Sequence, residues 1–350
     1  MWTTAKFCAQ LPKIELHAHL NGSLSRDTLK RLHIMKEGNS ADDIDIPDIT
    51  KMTNLEECFK IFGLAHSLTS SPEALRVATS DVVREFAEDG VVHLELRTTP
   101  RAVESIMSHE QYVEAVLEEA TREGAAQGIG VKVLLSVDRS QGEAAAQRVL
   151  TLALAARRRW PEALVGIDLS GNPRSGCARA LLPLLRDARA RGLRVAAHCA
   201  EVENEAEAVA LMEAGVADRL GHCTFAAPGA GAGAEAAWAA LRATRLPVEA
   251  CLSSNVRCGT VPSYASHHFG ALRRHNHPVA LCTDDKGVFA TTLSNEYYLA
   301  AEHFSLSTEE LWKLSFESVE YTFASEEEKQ QIRNTLLEWK KANLAQFELH

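Results

Sequence analysis

Short apolar runs alternate with helical patterns along the whole chain. Eight of these runs are apolar almost throughout, as expected for parallel strands that are buried on both faces. The predicted strands are Ile14–His17, Val91–Leu96, Val131–Val137, Leu164–Leu169, Leu193–His198, Arg219–His222, Pro247–Leu252 and Val279–Thr283. Strands that alternate with helices indicate βαβ units. Eight such units predict an α/β fold of the (β/α)8 TIM-barrel class, in a single domain over residues 1–350.

The interval between the first two predicted strands is longer than one crossover needs. Residues 21–87 contain patterns for two or three helices. One of these helices opens with Ser71 as N-cap, Pro72 at the first helical position and Glu73 in the first turn. Long connections in compact domains are commonly functional. We therefore predict an inserted helical lid, at about residues 21–87, over the mouth of the barrel.

Polar residues follow almost every predicted strand. They are His17 and His19, Arg97 and Thr98, Asp138, Ser170 and Gly171, His198, His222, Ser253 and Asn255, and Asp284 and Asp285. Active sites of such barrels lie at the C-terminal ends of the strands. Loops begin with polar residues in any case, but this does not explain a concentration of histidines and aspartates. Because imidazole and carboxylate ligands suit a borderline-soft divalent cation, the pattern predicts a metal site.

Composition and charge narrow the class of protein. The chain has 350 residues, 46% of them hydrophobic, and a formal net charge of -10, which argues against nucleic acid as a partner. The first ten residues lack a signal-peptide pattern, and no segment approaches the roughly 20 apolar residues of a membrane span. The eight cysteines include no C-x-x-C pair and are interpreted as reduced thiols. We expect a cytosolic monomer that does not bind membranes.

Five segments resemble the adenosine and AMP deaminase family of metal-dependent hydrolases. They are Glu15-Leu16-His17-Ala18-His19-Leu20-Asn21-Gly22, Asp168-Leu169-Ser170-Gly171, His198-Cys199-Ala200-Glu201, Gly221-His222 and Cys282-Thr283-Asp284-Asp285. The resemblance runs from Leu11 to about Phe323, and it is strongest to the adenosine deaminase-like branch. Zinc deaminases that act on cytidine use a cysteine-rich site after an H-x-E element, and no such site occurs here.

The resemblance implies a catalytic site around one zinc ion. His17, His19, His198 and Asp284 would be the zinc ligands, and His222 would hold the attacking water and manage its proton. Glu201 would donate a proton to purine N1. A glutamate in that role has to be protonated before attack, so we expect a dry pocket to raise its pKa.

The resemblance also implies which residues contact the substrate. They are His19, Asn21, His66, Thr98, Thr99, Pro100, Arg101, Asp138, Gly171 and Asp285. Among them, Asp285 would bond purine N7 and the Gly171 N–H would bond N3. Asp138 is equally explained by a structural hydrogen bond, and Arg101 by an ordinary surface position.

One departure from the family pattern concerns the substrate. Typical adenosine deaminases carry an aspartate at the position of Asn21, where it is matched to the sugar hydroxyl. A carboxylate would repel a 5′-phosphate, whereas asparagine can donate to its oxygens. Thr98, Thr99 and Arg101 offer further donors. The implied reaction is therefore hydrolytic deamination of a 6-substituted purine nucleotide, with N6-methyl-AMP giving IMP and methylamine.

Two alternatives remain open at this point. The chain could be a conventional adenosine deaminase that converts adenosine to inosine, with Asn21 incidental. It could also be a metal-binding scaffold or an extracellular signalling protein that retains the fold without turnover. The presence of Glu201 and Asp285, and the lack of a signal sequence, argue against the second alternative.

Overall fold

Eight parallel strands pair in chain order around the barrel. A computed structural model describes residues 2–38, 44–47, 55–228 and 234–347, without the side chains of residues 55–60. The strands are β1 (Lys13–His19), β2 (Val91–Thr98), β3 (Gly130–Asp138), β4 (Leu164–Ser170), β5 (Arg194–Cys199), β6 (Arg219–His222), β7 (Val248–Ala250) and β8 (Val279–Leu281). The predicted (β/α)8 class is confirmed.

The seam between the first and last strands is closed by a few specific bonds. His19 N–H donates to the Asp284 carbonyl at 2.9 Å, and Asp284 N–H donates to the His17 carbonyl at 2.8 Å. The buried Glu15 carboxyl accepts from the His17 backbone N–H and from both the backbone and the hydroxyl of Thr283. A side chain thus replaces ladder bonds between the last strand and β1, and it fixes the two segments that carry His17 and Asp284.

Helices connect the strands and cover the barrel. They are α1 (Thr4–Gln10), α2 (Arg26–Glu37), α3 (Leu55–Leu68), α4 (Pro72–Glu88), α5 (His109–Gln127), α6 (Gly142–Arg159), α7 (Ala178–Ala190), α8 (Glu205–Glu213), α9 (Ala234–Thr244), α10 (Leu252–Arg257), α11 (Phe269–Arg274), α12 (Leu293–Phe304), α13 (Thr308–Ser318) and α14 (Glu326–Ala342). Among the described residues, no helix has both the length and the apolar character needed to cross a bilayer.

In the part of the chain that the structure describes, three helices lie between β1 and β2. The Ser71 hydroxyl caps α4 by accepting from Ala74 N–H, with Pro72 in the first turn, as predicted. Because α4 packs on β2 and α5, it belongs to the outer ring, and α2 and α3 are the additional helices. Residues 39–43 and 48–54 lie outside the described residues, so the lid over 21–87 and the single domain over 1–350 stay predictions.

The predicted strand Pro247–Leu252 is wrong at its C-terminal end. Strand β7 stops at Ala250, and Leu252 begins the short helix α10. The turn places the hydroxyl of Ser254 2.7 Å from Oδ2 of Asp284. The predicted apolar run is therefore shared between a strand and a helix.

Candidate active site

Four side chains converge on one point at the C-terminal ends of the strands. Strand β1 provides His17 and His19, β5 provides His198, and Asp284 follows β8. The three imidazole Nε2 atoms lie 3.1–3.3 Å from one another. Asp284 Oδ1 lies 3.3 Å from Nε2 of His17 and 3.5 Å from Nε2 of His19. These four residues can hold a metal ion.

The spacing and the ring contacts of these side chains fit a cation. His198 Nδ1 donates to the Leu169 carbonyl at 2.9 Å, so its Nε2 lone pair faces the other ligands. His17 Nδ1 lies 2.9 Å from Glu249 Oε2, and the carboxylate favours the proton on that nitrogen. Lone pairs directed at one point need a positive charge between them. Tetrahedral bonds of about 2.0–2.1 Å would separate the donor atoms by about 3.3 Å.

A buried network of charges supports the ligands from below. Arg97 Nη1 lies 2.9 Å from Asp168 Oδ1, and Arg97 also pairs with Glu249. Arg219 bonds Glu249 and Glu95, each at 2.6 Å. Burial alone would raise the pKa of Asp168 and Glu249, but the charge of Arg97 holds both well below their usual range. The carboxylates therefore stay ionised and orient the histidines above them.

A cavity of about 560 Å³ opens beside the four ligands. Its size suits a small organic ligand. Glu201 lines this cavity, and its side chain is 22% exposed. Burial raises the pKa of Glu201, which favours the protonated form. The expected pKa shift of this candidate proton donor is therefore present, with desolvation as its main cause.

His222 lies between Glu201 and the ligand cluster. Its Nε2 is 3.7 Å from Glu201 Oε2 and 3.9 Å from Asp284 Oδ2. The backbone φ is 60° at His222 and 62° at Asp284, a region that non-glycine residues rarely adopt. Strained backbone at two cavity residues is typical of functional sites, where the surrounding fold holds the conformation.

Comparisons with known proteins agree with this geometry. The family model described as adenosine deaminase matches residues 12–339. The chain belongs to the adenosine deaminase family. It is 43% identical to human N6-methyl-AMP deaminase over 332 residues, which cover 93% of each chain.

Solved structures of family members superpose closely on the barrel. The Arabidopsis N6-mAMP deaminase matches with a TM-score of 0.86 and 39% identity, covering 95% of this chain and 99% of that one. An Arabidopsis relative complexed with IMP matches with a TM-score of 0.85 and 38% identity, covering 97% and 99%. The family resemblance of the sequence motifs is confirmed.

Most of the substrate-contact residues expected of an adenosine deaminase family member line the cavity. They are His19, Asn21, His66, Thr98, Thr99, Asp138, Gly171 and Asp285. Asp138 also accepts bonds from the backbone and hydroxyl of Ser140, so the structural bond considered for it is present. Gly171 has φ of 96°, and a Cβ there would lie 2.2 Å from Asp138 Oδ1. The chain thus requires glycine at that position.

Two of the expected contact residues lie elsewhere. Pro100 and Arg101 are not among the described residues that line the cavity. Arg101 Nη2 instead donates to the carbonyls of His66 and Thr69 at the end of α3, and to the Thr69 hydroxyl at 2.8 Å. Its guanidinium also lies over the Tyr112 ring. In this structure Arg101 anchors α3 to the loop after β2, and its contact with substrate stays a prediction.

Several residues of the site escaped the sequence analysis. Glu249 orients His17 from inside a strand, Ser254 donates to Asp284, and His267 reaches the site through Asn255. The sequence identifies Asn255 only as a polar residue after a strand. The signal for Glu249 was an acidic residue in an apolar run, because an unpaired buried charge is too costly to leave there.

Proposed function

We propose that this chain is a zinc-dependent deaminase of 6-substituted purine nucleotides. Its expected reaction is N6-methyl-AMP plus water giving IMP plus methylamine. The observation that carries the proposal is the convergence of four metal-binding side chains beside Glu201, in a chain 43% identical to human N6-methyl-AMP deaminase. The relative complexed with IMP supports a nucleotide product.

The donor set favours zinc among the common divalent ions. Three neutral imidazoles and one carboxylate suit zinc, whereas magnesium and calcium prefer oxygen ligands. Zinc held by His17, His19, His198 and Asp284 would supply an activated water at neutral pH. The buried carboxylates of Asp168 and Glu249 would keep two of the imidazoles oriented for binding.

The protein groups around the purine donate a proton and position the base. Protonated Glu201 donates to N1. This makes C6 more electrophilic and compensates the negative charge that would form on the ring as the oxygen of water adds to C6. The Gly171 N–H donates to N3, and Asp285 bonds N7 through a proton held between the two, so they fix the face of the base that is attacked. Gly22 leaves room for this arrangement, because a Cβ there would lie 1.6 Å from Asp285 Oδ1.

The ribose-phosphate end is proposed to lie toward Asn21 and Thr98. Both line the cavity, and both belong to a polar group around Tyr112, whose hydroxyl is 2.6 Å from Thr98 Oγ1. Arg101 Nη1 is buried and makes no hydrogen bond among the described residues. It is therefore a donor that a phosphate oxygen could satisfy in addition to the bonds to α3.

A substrate panel tests the proposal. Zinc-loaded protein is assayed for kcat/KM with N6-methyl-AMP, AMP, N6-methyladenosine and adenosine. We expect the methylated nucleotide to be preferred and the activity to disappear with a zinc chelator. Preference for adenosine would instead establish the conventional adenosine deaminase reaction, the alternative that the family description supports. Cytosolic location and a monomeric state remain separate predictions.

A further inference from the structure

The two ring nitrogens of His222 face different neighbours. Nε2 faces Glu201 and Asp284 inside the cavity. Nδ1 faces the side-chain amide of Asn255, whose Nδ2 is 3.5 Å away. A neutral imidazole carries one proton, so the group beside Nδ1 decides whether Nε2 is a donor or an acceptor.

The direction of the hydrogen bonds behind His222 is set by two backbone groups. The first is Phe269 N–H, which can only donate, and it lies 3.0 Å from His267 Nδ1. Burial holds the pKa of His267 well below its usual value, so this ring is neutral and its single proton is on Nε2. His267 Nε2 lies 2.9 Å from an atom of the Asn255 amide, which therefore has to be the acceptor, Oδ1.

The second backbone group confirms the orientation of Asn255. The Asn255 carbonyl accepts the hydroxyl proton of Thr260 at 3.0 Å. Thr260 Oγ1 is then left as the acceptor for Asn255 Nδ2 at 3.3 Å. Both ends of the amide are assigned independently, and Nδ2 is the end that faces His222.

An adjacent bond fixes the backbone of His222. His268 Nε2 donates to the His222 carbonyl at 2.7 Å, and its ring stacks on His267 with centroids 4.2 Å apart. The conformation of His222 at φ 60° is thereby tied to the same pair of histidines that orients Asn255. The loop that carries both histidines holds the ring and its backbone together.

We propose that His267 and Asn255 are positioning residues that select the tautomer of His222 with its proton on Nε2. At 3.5 Å the bond from Asn255 is long and adds little energy. Its effect is to select a tautomer, because the Asn255 N–H that faces His222 Nδ1 disfavours a proton on that nitrogen. His222 then donates a hydrogen bond into the cavity and is not the group that first accepts a proton from water. This kinetic consequence rests on the proposed deaminase function, whereas the tautomer itself does not.

Asn255→Asp tests the proposal by replacing the hydrogen-bond donor that faces His222 with an acceptor. The new carboxylate can still accept from His267, but it offers His222 Nδ1 an acceptor in place of a donor. The proton should move to Nδ1. His267→Gln is the conservative variant, since its amide can still donate to Asn255, and Asn334→Asp on the exposed face of α14 controls for an added charge.

The first measurement is the nitrogen NMR spectrum of ¹⁵N-histidine-labelled, zinc-loaded protein, with His222 assigned by its absence in His222→Gln. We expect unprotonated Nδ1 in the wild type, Asn334→Asp and His267→Gln, and protonated Nδ1 in Asn255→Asp. The second measurement is the kinetics with N6-methyl-AMP. We expect kcat to fall about 100-fold in Asn255→Asp, the scale of a lost hydrogen-bond donor in an active site, with KM changed less than about threefold.

Each outcome has a defined consequence. Unprotonated Nδ1 in Asn255→Asp, or protonated Nδ1 in the wild type, would overturn the tautomer assignment. A fall in kcat without a change of tautomer would reduce Asn255 to a structural role and also overturn it. If the tautomer changes as expected but the wild type converts none of the four purines, the deaminase proposal fails and the tautomer assignment stands.

Discussion

Asn21→Asp tests whether the cavity is built for a nucleotide. Asn21 is 9% exposed, its Oδ1 accepts from the Thr69 hydroxyl at 3.3 Å, and its side chain also bonds Tyr112. Aspartate has the same shape as asparagine, and the Tyr112 hydroxyl can donate to a carboxylate, so we expect the substitution to preserve the fold. What changes is the charge beside the proposed phosphate position.

The size of the effect follows from Coulomb's law. At an effective dielectric constant of 20, two negative charges 4–6 Å apart repel by about 3–4 kcal/mol. This corresponds to a loss of roughly 100- to 1,000-fold in kcat/KM, and the charge of Arg101 near Thr69 favours the lower value. The loss should appear with N6-methyl-AMP and not with N6-methyladenosine, which has no phosphate.

The assay compares kcat/KM for these two substrates in the wild type, in Asn21→Asp and in the remote control Asn334→Asp. We expect the nucleotide-to-nucleoside ratio to fall at least about 100-fold in Asn21→Asp and to stay unchanged in the control. An equal loss with both substrates would refute the reasoning, because it would show that Asn21 acts on the base or the fold and not on the phosphate.

Three further changes probe the metal site, the proton donor and the packing. Glu249→Gln should weaken zinc binding about 10- to 100-fold by removing the carboxylate beside His17, measured by competition with a chelator; unchanged affinity would contradict this. Glu201→Gln should abolish turnover while the zinc content stays full. Wild-type kcat should fall as pH rises through the raised pKa of Glu201, because its protonated form is the donor, and a kcat that does not fall on the alkaline side would count against that role. Gly22→Ala should lower kcat/KM because its Cβ displaces Asp285, and wild-type activity in this variant would show that the contact relaxes freely.

The barrel could be predicted because each strand is a short, continuous apolar run. Register and strand ends were harder, since they depend on bonds between distant residues. Leu252 is apolar in sequence but starts a helix, because the neighbouring Ser253 N–H is bonded to the buried Glu296 carboxylate and Ser254 is directed to Asp284. The local pattern of hydrophobic residues contains no information about such distant partners.

The metal ligands could be predicted because their residue types are rare at strand ends and their order matches a family. The residues that orient them could not be predicted in the same way. Glu249 and Arg97 neutralise each other inside the barrel, and neither has a local motif. The sequence does not distinguish His267 among fourteen histidines, because its role depends on a turn that brings it against Asn255.

The most direct test of the account is a mass balance with N6-methyl-AMP. Purified zinc-loaded protein is incubated with this nucleotide, and IMP and methylamine are quantified with and without a chelator. We expect equal amounts of the two products, and neither product after zinc removal. Formation of neither product by protein with one zinc per chain, or undiminished formation by zinc-free protein, would contradict the central claim.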